Sequence, residues 1–207
     1  MVIDPGEAGY QNVYKLLIGA IVPRPIAFVS TISSAGIRNL APFSFFTAVS
    51  ANPPVICFCP MRRGGPDPYK DTLRNIYETR EFVVNVVSEE FAQKMNLSSG
   101  EYPPEADEFE ISGLTPISSD LVKPPRVAES HVNMECKLYL VLEIGELPGS
   151  GNLVLGEVVR FHVDSQLFPD FRDHFKIDPD KLRPIGRMGG STYTRTTDRF
   201  EMERPRS

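Results

Sequence analysis

The sequence predicts a mainly β protein, an antiparallel sheet or barrel with a few helices. Apolar segments rich in strand formers recur at 26–32, 39–50, 55–59, 81–87, 132–144 and 152–163. Short turns of Gly, Pro, Asn and Ser separate the first of them. These segments also cluster instead of alternating with helices, which argues against a doubly wound parallel sheet.

The elements follow in chain order. Residues 11–18 read as a short helix or a lead-in, and Pro23-Arg24-Pro25 stops any helix there, because proline lacks an amide donor and restrains its predecessor. The strand at 26–32 meets a hairpin turn at Ser33-Ser34-Ala35-Gly36, and the next strand covers 39–50. Asn52-Pro53-Pro54 breaks it before the strand at 55–59. Residues 71–76 open a helix with Asp71 as its expected N-cap. The strand at 81–87 leads into Ser88-Glu89-Glu90-Phe91, a helix start whose acidic residues suit the macrodipole. Residues 98–125 are rich in Pro, Glu, Asp and Ser and read as a long excursion loop or lid. After the two last long strands, 182–207 reads as a polar tail. The count is about six or seven strands and two or three helices in a single domain spanning 1–207.

Composition narrows the function. The 207 residues carry a net charge of −5, which argues against a general nucleic-acid binder. No apolar run approaches the roughly 20 residues that span a bilayer, and no signal peptide is visible, so no membrane role is expected. Cys57, Cys59 and Cys136 show no metal-ligand spacing and read as buried apolar thiols, which fits a reducing cytoplasm. His131, His162 and His174 are not paired at ligand spacing, so no metal is expected. No GxGxxG, Walker or GxSxG motif is present. A chain without these devices suits a reaction carried by a bound cofactor.

The densest chemistry lies between Pro23 and Pro54, where two neighbouring strands carry hydroxyls, an amide and small residues near their ends. Asn39-Leu40-Ala41-Pro42 makes a poor strand interior, leaving backbone amides free to meet a planar ligand's edge. The residues alone leave a second reading open, of solvated hydroxyls and ordinary turns.

The runs Pro-Arg-Pro-Ile-Ala-Phe-Val-Ser-Thr (23–31), Asn-Leu-Ala-Pro-Phe-Ser-Phe-Phe (39–46) and Val-Ser-Ala-Asn-Pro-Pro (49–54) together resemble the flavin reductase-like family. The order of 70–76, 81–85, Gly156-Glu157-Val158-Val159 and Pro184-Ile185-Gly186-Arg187-Met188-Gly189-Gly190 extends the resemblance over most of the chain. It implies an FMN-binding split β-barrel, antiparallel and Greek-key-like, with FMN in a groove at a homodimer interface. It further implies cofactor contacts from Arg24, Ser30, Thr31, Asn39, Leu40, Ala41, Pro42, Ser44, Ser50, Lys70, Asp71 and Thr72. Lys70 and Thr72 are then the phosphate candidates, and a helix N-terminus at Asp71 would favour a phosphate as well. As bare sequence, Lys70 is equally a solvated lysine and Asp71 a plain N-cap. His162, Arg187 and Tyr193 are further flavin or nicotinamide contacts on this reading, His162 being otherwise structural and the other two an exposed tail.

The implied activity is hydride transfer from NADH or NADPH to bound FMN, with no protein side chain required as catalytic acid or base. A monooxygenase or redox protein would take the electrons. The alternatives are a flavoredoxin-like electron carrier with tightly held FMN, and a non-catalytic flavin-binding protein. The sequence shows no arginine cluster that would read a 2′-phosphate, Arg62-Arg63 coming nearest to one.

Overall fold

The computed structural model describes residues 1–168 and 175–205. Helices α1 (Pro5–Ala8) and α2 (Tyr10–Ala20) lead into strands β1 (Ala27–Ile32), β2 (Arg38–Phe43), β3 (Phe46–Ala51) and β4 (Pro54–Phe58). Next come α3 (Asp71–Thr79), β5 (Glu81–Val86), α4 (Ala92–Leu97), α5 (Glu108–Ser112), β6 (Pro116–Ile117) and β7 (Arg126–Val127). The chain continues through β8 (Val132–Glu143), β9 (Asn152–Val163), α6 (Pro179–Leu182), β10 (Ile185–Arg187) and β11 (Tyr193–Arg195).

Seven strands form one antiparallel sheet in the order β2-β1-β5-β8-β9-β4-β3. Its two edge strands, β2 and β3, are joined by Ser44 and Phe45 alone. The sheet therefore curls until its edges meet at that corner. Among the described residues no ladder closes β2 onto β3, so the barrel is split there. This corrects the single strand expected over 39–50. Pro42 is tolerated in β2 because β2 is an edge strand, where a missing amide leaves no neighbour unpaired.

Two apolar layers hold the barrel. Its interior packs Val29, Phe58, Leu73, Ile76, Phe82 and Val154. The opposite face of β1 supports a second cluster that includes Phe28, Leu40, Met95, Phe109 and Val127. β1 is thus buried on both faces, which explains its unbroken apolar reading. Gly156 is where β9 crosses Phe82, and a Cβ there would lie 2.2 Å from the Phe82 Cζ. Only glycine admits that approach.

Three more expectations change. The excursion at 98–125 is not bare loop: it contains α5 and β6 and packs Phe109 and Leu114 onto the outer core. The tail at 182–207 contains β10 and β11, and the Arg24 and Arg187 backbones exchange hydrogen bonds of 3.0 and 2.8 Å. Finally, the N-cap of α3 is Lys70, and Asp71 is the first helical residue. The Asp71 carboxylate pairs with Arg63 and Arg74 instead of capping an amide. All three cysteines are free, and burial raises each thiol's pKa. No helix among the described residues is long and apolar enough to cross a membrane.

Candidate functional site

A trough runs along the outside of the barrel at the β2 edge. Its narrow end is a cavity of about 60 Å³ between β2, the start of α3 and the segment after α4. Asn39, Ala41, Pro42, Lys70, Asp71 and Thr72 all line it. A middle section of about 300 Å³ shares Pro42 and Ser99 with that end and adds Arg24, Ser44, Arg187 and Tyr193. The far section, about 600 Å³, shares Asn96, Arg187 and Tyr193 with the middle one.

The narrow end is electropositive in a specific way. The Lys70 ammonium has no hydrogen bond or ion pair among the described residues. Burial, and then the neighbouring Arg63 charge, push its pKa below the ordinary lysine value. Arg63 reaches Asp71 through Nη2 at 3.3 Å, yet its Nε is buried without a partner. The first two amides of α3, Asp71 N and Thr72 N, have no acceptor within the helix. Two half-buried cations, an unpartnered guanidinium N–H and a helix N-terminus thus face one small cavity, an arrangement that favours an anion.

Beneath it lies a buried polar network. The Asn39 Oδ1 accepts the Thr72 hydroxyl at 2.7 Å and the Thr31 hydroxyl at 3.2 Å. Asn39 Nδ2 donates to Glu108 Oε1 at 3.0 Å, and Leu40 N donates to Glu108 Oε2 at 3.1 Å. Burial pushes the Glu108 carboxyl above its ordinary pKa, and these two donors oppose that. The network fixes the irregular end of β2 against α3 and α5.

Several sequence expectations are corrected by these contacts. Thr72 lines the cavity, but its hydroxyl proton goes to Asn39, so only its backbone amide is free for an anion. Thr31 is fully buried in the same network. Ser30 is fully buried too, and its hydroxyl donates to the Pro125 carbonyl at 2.5 Å. The Leu40 side chain points into the outer core. Arg24 is 4% exposed and donates to the carbonyls of Ile18, Ile21 and Met188 at 2.7, 2.8 and 2.9 Å. It therefore clamps the end of α2 and the segment before Gly189 to the trough wall, with four of its five N–H groups committed, the fourth being a 3.4 Å contact to Ser44 Oγ. Ser50 lies on β3, outside the trough. His162 is likewise elsewhere: its Nε2 sits 2.6 Å from the buried Glu135 carboxylate. His174 lies outside the described residues. Asp120, Glu135 and His162 approach one another closely, but both Glu135 oxygens already accept the amides of Asp120 and Leu121.

The structure adds residues that the sequence does not single out, Ser98, Ser99, Gly100, Tyr102 and Glu108 around the narrow end, and it places there Arg63, which the sequence offers only as a weak 2′-phosphate reader. The small-residue run Ser98-Ser99-Gly100 directly after a helix is the sequence signal for three of them.

The sequence matches the flavin reductase like domain over residues 19–177, and the chain belongs to that family. Nitrilotriacetate monooxygenase component B from Bacillus cereus is 37% identical, with 98% of each chain covered and a TM-score of 0.90. The 2-nitrobenzoate 2-nitroreductase of Pseudomonas fluorescens is 31% identical, with 99% of this chain and 96% of that one covered and a TM-score of 0.87. A split-barrel-domain protein from Shewanella frigidimarina shares the fold at 20% identity, covering 99% and 100% of the two chains with a TM-score of 0.81. A flavin is the cofactor this family implies. The unpartnered Arg63 Nε and Lys70 ammonium fit its phosphate, and the adjoining trough fits its flat ring.

Proposed function

We propose that this chain is an FMN-dependent oxidoreductase that takes hydride from NADH or NADPH. The observation that carries the reading is the anion cradle of Lys70, Arg63 and the first amides of α3 at the closed end of an elongated trough. The small volume at that end suits a terminal phosphate, which favours FMN over FAD. Bound FMN would supply a hydride acceptor whose reduced form passes electrons onward. The protein's part is to anchor the phosphate, orient the ring along the β2 edge and keep the middle of the trough open to a second planar ring. Ser44, at the corner between β2 and β3, presents a hydroxyl there. No side chain is asked to move a proton.

A second copy of the chain fits the apolar surface formed by Val49 and by Tyr139, Leu140 and Leu142 on β8, which are 50–58% exposed. A homodimer is therefore part of the reading, and light scattering with a mass near the 23.1 kDa monomer would remove it. The three free thiols fit a reducing, cytoplasmic setting. The likeness to a monooxygenase component supports reduced flavin being handed to a partner enzyme. The likeness to the nitroreductase supports a second reading, in which flavin stays bound and an organic acceptor enters the trough. NAD(P)H oxidation with and without added free FMN separates them. Stimulation by free FMN supports transfer to a partner, a need for an organic or protein acceptor supports retained flavin, and no oxidation at all reduces the protein to a flavin binder.

A further inference from the structure

The far section of the trough is unused by the cofactor reading. Its floor is apolar, formed by Ala92, Leu97 and Ile185, and its rim is basic. Among the described residues lining it, Glu89 is the one carboxylate, and Arg187 and Arg195 are the cations. Glu89 is already engaged on both oxygens: Arg183 Nη2 lies 2.5 Å from Oε2 and Arg195 Nε 2.5 Å from Oε1. Arg187 has no carboxylate partner among the described residues. It donates to the Gly190 carbonyl and stacks over the Tyr193 ring at 4.4 Å. Two guanidiniums, Arg183 and Arg195, thus share one carboxylate, and among the described residues Arg187 adds a cation to the same section with no carboxylate of its own.

That charge pattern discriminates between reductants. A site that reads the ribose diol of NADH presents a carboxylate with free oxygens, whereas a site that reads the 2′-phosphate of NADPH presents guanidinium. Both Glu89 oxygens are already engaged by arginines, so a diol would have to share an acceptor that is charge-compensated. Arg195, whose side chain is 70% exposed, can swing from Glu89 to a phosphate, because exposed ion pairs are weakly held. Thr194 and Ser191 add hydroxyls to the same rim.

We propose that the Arg187–Arg195 rim binds the 2′-phosphate of the reductant, so that the chain prefers NADPH to NADH. This rests on the reading that a nicotinamide dinucleotide reduces the flavin. Steady-state kinetics with both nucleotides on the FMN-loaded protein should give NADPH the higher kcat/KM by tenfold or more. Arg195→Ala should lower the NADPH value about tenfold further than the NADH value. Adenosine 2′,5′-bisphosphate, titrated calorimetrically into the FMN-loaded protein, should bind more tightly than 5′-AMP, and the difference should vanish in Arg195→Ala. Equal or reversed nucleotide preference, or equal binding of the two adenosine phosphates, would overturn the proposal and leave the reductase reading standing. Should neither nucleotide be oxidised, the reductase reading falls, and the bisphosphate titration alone then decides whether the rim reads phosphate.

Discussion

Replacing Lys70 with methionine separates a ligand-holding lysine from a structural one. In the free protein the ammonium is partly buried beside Arg63, without a hydrogen bond among the described residues, and the nearby Glu101 and Asp71 charges only partly offset that. Its removal should therefore leave the melting temperature of the flavin-free protein unchanged or raised. With FMN bound, the same charge would make a charge-assisted hydrogen bond to phosphate, worth about 1.5–3 kcal/mol. That corresponds to roughly ten- to a hundredfold in Kd. Riboflavin lacks the phosphate, so its affinity should not move. The assay is quenching of flavin fluorescence on titration with wild-type and Lys70→Met protein, beside thermal melts without flavin. Thr72→Ala provides the contrast. Its hydroxyl serves Asn39, so that change should weaken FMN and riboflavin alike and lower stability by about 1 kcal/mol. A lower melting temperature for flavin-free Lys70→Met, with equal losses for both flavins, would refute the reasoning.

Other outcomes follow from the same contacts. FMN affinity should fall on the alkaline side, beginning below the ordinary lysine value of 10.5, and riboflavin affinity should stay flat. The sign differs for folding itself: the free fold lowers this pKa, so its unliganded stability gains as pH climbs through that window, and Lys70→Met should erase both effects in a pH series. Glu108→Gln exchanges one acceptor for a donor that faces either Asn39 Nδ2 or Leu40 N. It should destabilise by about 1–3 kcal/mol in urea titration, where an unchanged midpoint would show the network to be dispensable. Gly156→Ala forces its Cβ against Phe82 and should cost about 1–3 kcal/mol, read as a melting temperature lowered by roughly 2–4 °C per kcal/mol.

The barrel strands were legible because each carries its burial pattern in sequence. β9 alternates buried and half-buried residues as far as Val158, and β1 is apolar throughout because both its faces are covered. The break between β2 and β3 was not legible. Both flanks have strand composition, and the corner at Ser44-Phe45 arises from sheet closure, a long-range constraint. Local sequence likewise could not separate a hydroxyl that meets a ligand from one that meets Asn39, so Thr31 and Thr72 read as ligand contacts although the fold spends their protons internally. The structural role of Arg24 was hidden for a related reason. Its guanidinium satisfies carbonyls up to 164 positions away, which no local motif announces. Lys70 and the cavity around it were reached through family resemblance. The place of Arg63 in that cavity required the fold, since it lies in a Gly- and Pro-rich stretch with no element of its own.

Anaerobic mixing of FMN-loaded protein with NADPH or NADH, followed through the absorbance of oxidised flavin, tests the central claim most directly. We expect stoichiometric bleaching by at least one nucleotide, faster than that of free FMN under the same conditions. Bound FMN that stays oxidised in excess of both nucleotides would contradict the assignment of this trough to hydride transfer.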